Sequence, residues 1–338
     1  MELSGTILAG PGYEPTEGRV VVGDGEIVAI EEAGTASSDI ICPAFVNAHT
    51  HIGDSIAKEA GRGLSLDDLV APPDGLKHRL LDDASREDLV DSMRRSLRFM
   101  QDGGTAACIE FREGGVEGVE ALSDALSPLS IDPVVMGREE IDVLDVAAGF
   151  GASGARDADF SAERRAATER GKLFGIHAGE RDPHDINPAL DLDPDFLVHM
   201  VHAETLHFER LEDSQTPVAV CPRSTLVTDV GLPPLGELLE RTTVALGTDN
   251  VMLNSPSMFR EMEFVSKLYD VAAPDVLEMA TAAGAEIAGL DCGVIEPGRT
   301  AALLVLDGES DNLHGVRDPV RAVVRRAGVG DVKTVVFP

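Results

Sequence analysis

The 338-residue chain has no tryptophan and two tyrosines, and aromatic residues make up only 4% of it. Stacking on a planar ligand therefore falls to phenylalanine or histidine. Lysine is scarce too, standing only at positions 58, 77, 172, 267 and 333. With 28 Lys plus Arg against 60 Asp plus Glu, the formal net charge is −32, and the basic clusters that bind a nucleic-acid backbone are missing. The four cysteines (42, 108, 221 and 292) form no CxxC pair and are too dispersed for a disulfide scaffold. Three of them, Cys42, Cys108 and Cys221, lie in apolar runs and read as small buried hydrophobes. No stretch approaches the roughly 20 apolar residues of a membrane-spanning helix. The start, Met1-Glu2-Leu3-Ser4-Gly5, has neither the basic residues nor the apolar core of a signal peptide. A cytoplasmic protein with a small-molecule substrate is expected, without nucleic-acid or membrane partners; a homo-oligomer remains open.

The acid is spread along the chain and forms no terminal tail. Spread acid with little lysine suits a halophilic surface, because concentrated salt screens the self-repulsion of such a charge. An acidic face for a basic partner is the other reading.

Between two β-rich ends, strand-like and helix-like segments alternate. Arg19–Val22 and Glu26–Ile30 flank Gly23-Asp24-Gly25, a hairpin signal. At the other end Ala301–Leu306, Ala322–Val324 and Thr334–Phe337 read as strands. In the middle, Leu89, Met93, Leu97 and Met100 recur at helical spacing behind Ser85, a candidate N-cap. Strands are expected at Thr105–Phe111, Asp132–Met136, Leu173–Ile176, Phe196–Val198, Val218–Val220 and Thr243–Leu246. Helices are expected over Ser161–Arg170, from Ser255-Pro256 through Leu268, and over Ala273–Ala288. Such alternation over about 250 residues predicts an α/β fold, a (β/α)8 TIM-like barrel with its active site at the C-terminal strand ends. A doubly wound open sheet would carry a glycine-rich dinucleotide fingerprint, and none is present. The domains expected are 44–291 as the barrel, with 1–43 and 292–338 pairing into one small β-sandwich.

The strongest motif is His49-Thr50-His51, which ends the apolar run Ile40–Ala48. In an extended segment, residues i and i+2 point the same way, so two imidazoles can grip one metal ion. Three more segments place ligand-type residues just past buried strands: His177-Ala178-Gly179-Glu180, Phe196–His199, and Gly247-Thr248-Asp249-Asn250. Cys221-Pro222-Arg223-Ser224 is a further strand-end motif.

This ordered set, together with the closing segment Gly293–Asp307, resembles the amidohydrolase superfamily, in particular its cytosine deaminase and chlorohydrolase-like branch. The resemblance spans nearly the whole chain. It implies one divalent transition metal, zinc favoured and iron possible, held by His49, His51, His177 and Asp249. Such an ion lowers the pKa of bound water towards ~7. The resemblance also implies a hydrolase of non-peptide C–N bonds, most simply a deaminase of a nucleobase-like heterocycle. Amide or cyclic-amide hydrolysis at the same site is the alternative, and a non-catalytic barrel that retains its metal is a second. Glu180 corresponds to the proton shuttle and Asp249 to a ligand that also takes part in catalysis. His199 corresponds to the histidine that bonds the attacking water or the substrate, with His202 competing for that role.

No lysine stands between 131 and 150, so a carboxylated-lysine two-metal site is not expected. Glu110 is an alternative acidic ligand. Lys77, Arg112 and Arg223 are candidates for substrate contact, each with a competing structural role in ion pairing or in pinning the barrel rim.

Overall fold

The computed structural model describes residues 1–71 and 74–338, so Pro72 and Pro73 lie outside the described residues. The first four strands are β1 (Glu2–Ala9), β2 (Glu14–Gly23), β3 (Glu26–Glu32) and β4 (Ile40–Pro43). The turn between β2 and β3 places Asp24 at φ 53° and Gly25 at φ 79°, the left-handed pair that a tight hairpin requires. Next come β5 (Phe45–His51), β6 (Thr105–Arg112), β7 (Asp132–Gly137), β8 (Gly149–Ala152) and β9 (Leu173–Ala178). They are followed by β10 (Phe196–His199), β11 (Val218–Val220), β12 (Val244–Leu246) and β13 (Asp249–Asn250). The last two are β14 (Leu303–Leu306) and β15 (Val332–Val336).

Strands β5 to β12 pair in chain order, every pair parallel. After two residues β12 continues into β13, which pairs with Thr50 and His51 of β5. That last ladder returns the sheet to its first strand, as a TIM-like barrel requires. Helices cover its outer face, among them Arg86–Asp102, Gly115–Leu126, Ser161–Glu169 and Met258–Leu268. In the first of these, Ser85 accepts from the Asp88 N–H as the N-cap.

The two chain ends meet in one six-stranded sheet of order β15-β14-β4-β1-β2-β3. Register ties them directly: Leu303 to Leu306 run antiparallel to Pro43 to Ile40. The recorded pairing is that of a single mixed sheet.

Several local expectations change. Ala322–Val324 is helical, within Pro319–Arg325, because Asp318 caps its start and Pro319 occupies the first turn. The segment from Ala273 to Ala288 is two helices, Ala273–Met279 and Ala282–Ala288. They break at Thr281, whose hydroxyl donates to Leu277 O and meets the Tyr13 hydroxyl at 2.8 Å. Pro256 precedes the helix Met258–Leu268 instead of opening it. Strand β8 has no sequence signature, since two of its four residues are glycine.

Glycines on β8 and β9 have a steric purpose. A Cβ on Gly151 would lie 2.7 Å from the Phe111 ring, and one on Gly175 would lie 2.4 Å from the Phe196 ring. Phe111 thus projects into the barrel interior, with its centroid 4.8 Å from that of His49 and 5.1 Å from that of His177. It forms an apolar floor beneath the strand-end histidines.

Candidate metal centre

His49 and His51 end β5, His177 lies near the end of β9, and Asp249 opens β13. The barrel turns all four inward. His177 Nε2 lies 3.3 Å from His49 Nε2 and 3.4 Å from His51 Nε2. Asp249 Oδ1 lies 3.2 Å from His49 Nε2 and 3.7 Å from His51 Nε2. A tetrahedral ion with bonds of about 2.1 Å has donor–donor edges of about 3.4 Å. The spacing fits.

The tautomers fit as well. His177 Nδ1–H donates to Ala152 O at 2.8 Å, which leaves a lone pair on Nε2. His51 Nδ1–H donates to Glu113 Oε1 at 2.9 Å, with the same result. Two lone pairs 3.4 Å apart repel unless a cation stands between them. Burial also pushes the pKa of His49 down, that of His51 down to about 3, and that of His177 well down. All three are neutral imidazoles at neutral pH, the form that binds a metal. The second oxygen of Asp249 accepts from Ser224 Oγ at 2.5 Å. Sets of these side chains, His49 with His51 and Asp249 and His49 with His177 and His199, place their donor atoms within 4.8 Å of one another.

Glu180 and His199 stand at the same mouth, Oε2 to Nε2 3.6 Å apart. Burial is the main cause that raises the Glu180 pKa, which moves its proton exchange towards neutral pH. His199 and Asp249 have φ values of 79° and 57°, in the left-handed region that non-glycine residues rarely occupy. Strain of this kind persists where a fold holds a side chain in a required place. The competitor His202 is half-buried, bonds Gly179 O through its backbone, and does not line the central cavity.

Lys77 lies on the helix Leu76–Asp83. It is buried, with Nζ 3.0 Å from Asp54 Oδ2 and 2.7 Å from Glu113 Oε1. Arg112 donates through Nε to Glu113 O and lies against Met93 Sδ, away from the cavity lining. Arg223 binds Glu261 through its backbone N–H and through Nε, at 3.0 and 2.6 Å, and reaches Ser255 O through Nη2. Arg223 therefore braces the rim, and its neighbour Ser224 faces the cavity.

Glu110 does not join the donor cluster. Both its oxygens face the Ile52 N–H, at 2.9 and 2.8 Å, and Oε2 lies 2.7 Å from Thr50 Oγ1. Burial pushes its pKa up to about 8. A protonated Glu110 donates to Thr50 Oγ1, whose own hydrogen then reaches Ile109 O at 3.1 Å. Because the folded pKa exceeds the ordinary 4.5, this group lowers stability as pH rises from about 4.5 to about 8. Glu110→Gln keeps a neutral donor and removes that dependence. Its melting temperature should match wild type near pH 5 and exceed it by roughly 5 °C near pH 8.5. Parallel melting profiles would show that Glu110 is ionised in the fold.

Two contributors escaped the sequence reading. Glu113 belongs to a charged strand-end loop and carries no motif; only the fold shows its oxygen on His51 Nδ1. Phe111 looked like an ordinary strand residue.

The model of the Amidohydrolase family matches residues 40–181 and 161–337, nearly the whole chain. The chain belongs to the amidohydrolase family. It is 34% identical to a protein of Methanothermobacter thermautotrophicus named as an aminohydrolase, over 96% of this chain and 94% of that one. A 5-methylthioadenosine/S-adenosylhomocysteine deaminase of Haloarcula marismortui is 27% identical, over 92% of this chain and 85% of its own. Among solved structures, an adenosine deaminase from Xanthomonas campestris with bound zinc superposes with a TM-score of 0.79. It is 18% identical and covers 98% of this chain and 90% of that chain, a likeness of fold. Among the described residues, no helix is long and apolar enough to cross a membrane.

Proposed function

We propose that this amidohydrolase deaminates a nucleobase-like or related heterocycle at one divalent metal ion, zinc in preference to iron. The observation that carries the reading is the convergence of three Nε2 atoms and Asp249 Oδ1, with Glu180 and His199 at the same mouth. His49, His51, His177 and Asp249 would hold a divalent ion, which would act as a Lewis acid and activate water for attack at neutral pH. The reaction replaces a ring C–NH2 by C=O, consuming water and releasing ammonia. Glu180 moves the protons: it takes one from the attacking water and delivers it to the adjacent ring nitrogen, then takes the proton of the resulting hydroxyl as C=O forms and passes it to the amine, which leaves as ammonia. His199 positions the water or the ring against the carbon attacked, and Ser224 holds Asp249 through Oδ2. Phe111 keeps water out from below. Residues 44–291 form the catalytic barrel, and 1–43 with 292–338 a small β domain beside it.

The test is ammonia release by the zinc-loaded protein from amino-pyrimidines, amino-purines, nucleosides and pterins, at tenths of molar and at molar KCl. At least one class should release ammonia, and the melting temperature should rise with KCl if the acidic surface is a halophilic adaptation. Ring opening without ammonia would replace deamination by cyclic-amide hydrolysis. Stoichiometric metal with no turnover on any class would leave a non-catalytic barrel.

A further inference from the structure

The cations that the sequence offers to a substrate are engaged by protein groups. Lys77 Nζ pairs with Asp54 Oδ2 at 3.0 Å and with Glu113 Oε1 at 2.7 Å. Arg112 and Arg223 are likewise buried in structural contacts and do not line the central cavity. A different guanidinium does line it. Arg138 follows β7 directly and shares the cavity wall with His51, Glu180, His199 and Asp249.

Arg138 uses little of its bonding capacity. Nη1 donates to Glu113 Oε1 at 2.8 Å, and among the described residues no acceptor meets Nε or Nη2. A guanidinium carries five N–H donors in a planar fork. The side chain is 11% exposed, so its remaining donors are held close to the protein and not waving in solvent. Glu113 Oε1 is the same atom that accepts from His51 Nδ1 at 2.9 Å. The guanidinium is therefore two hydrogen bonds from a residue of the donor cluster.

Ion pairing points the same way. Lys77 and Arg112 are held among Asp54, Glu110 and Glu113, whereas Arg138 meets Glu113 alone. Of the other cations on the wall, Lys77 is held by Asp54 and Glu113, and Arg181 is turned to Asp67 at 2.9 Å. An unpaired fork in a concave site matches an oxyanion, which takes two parallel N–H bonds.

We propose that Arg138 is the residue that recognises the substrate, and that the substrate carries a carboxylate or phosphate on or next to its reacting ring. This rests on the reading of the cavity as a deaminase active site.

Binding, measured by calorimetry on zinc-loaded protein, tests it without requiring turnover. Two matched pairs serve as probes: cytosine against cytosine-5-carboxylate, and adenosine against its 5′-monophosphate. The charged member of one pair should bind roughly 10- to 100-fold more tightly, the usual range for a charge-assisted bidentate contact. Which pair shows the preference identifies carboxylate or phosphate as the source. Arg138→Gln can still donate to Glu113 and should keep its metal, while the preference falls to within about threefold of unity. Arg138→Lys keeps the charge without the fork and should lose several-fold of the preference. No preference in wild type for either pair would overturn the proposal, and so would a preference undiminished in both variants, which would assign the anion to the metal. A preference that depends on Arg138 in a protein that releases no ammonia would uphold the subsite and sink the deaminase reading instead.

Discussion

Glu180→Gln is expected to lower kcat by about 10³- to 10⁴-fold while the protein keeps its fold, its metal and its affinity for a product analogue. General acid–base groups typically contribute ~10²–10⁴ in rate, and here one carboxyl serves several proton transfers, which favours the upper end. The geometry separates this effect from metal loss. Glu180 Oε2 lies beside His199 Nε2 at 3.6 Å, and none of the four proposed ligands depends on it for a hydrogen bond. Gln preserves size and one acceptor but cannot relay a proton. Steady-state rates with metal analysis on the same sample make the comparison. Turnover within a few-fold of wild type would send the search for a shuttle elsewhere and weaken the deaminase reading with it.

Loss of a ligand should be more complete. Wild type is expected to hold about one transition-metal ion per chain, and His49→Ala and His177→Ala to retain almost none after dialysis against a chelator. Changes to outer partners of a metal ligand cost 10- to 100-fold in affinity, so removal of a ligand itself should exceed ~100-fold. The imidazoles and Asp249 meet at 3.2–3.4 Å on His49 and His177, so either deletion opens the cluster. Metal that binds only the folded state stabilises it by about 2.7 kcal/mol at a hundred times Kd. Chelator should therefore lower the melting temperature of wild type and leave that of His177→Ala unchanged. His202→Ala, outside the cavity, should behave as wild type. Two tightly bound ions per chain would contradict a single centre and bring Glu110 back as a ligand.

The candidate donors were legible because each stands at or just past the end of an apolar strand, and a buried strand that stops at a histidine is visible in one dimension. His49 and His51 needed only the two-residue period of an extended chain. The alternation of strands and helices exposed the barrel in the same way. Legibility failed where a residue's role depends on a neighbour distant in sequence. Strand β8 was invisible because its glycines are chosen by neighbours across the sheet, Phe111 at Gly151 and Met136 with the Leu173 carbonyl at Gly149, and not by strand propensity. Ala322–Val324 carries β-branched residues but is helical, because the cap at Asp318 and packing against neighbouring helices outweigh a weak local preference.

Charge was the least legible property. The sequence by itself determined the family, the barrel and the residue types that gather at its mouth, since periodicity and strand-end motifs are local patterns. Which cations remain for a ligand was decided by the tertiary structure alone. Lys77, Arg112 and Arg223 looked available in the sequence, but buried carboxylates and carbonyls 1 to 38 positions away hold them. Arg138 had no motif, but the fold leaves its guanidinium facing the cavity with donors unpaired. An ion pair depends on distance through space, and only the folded chain sets that distance.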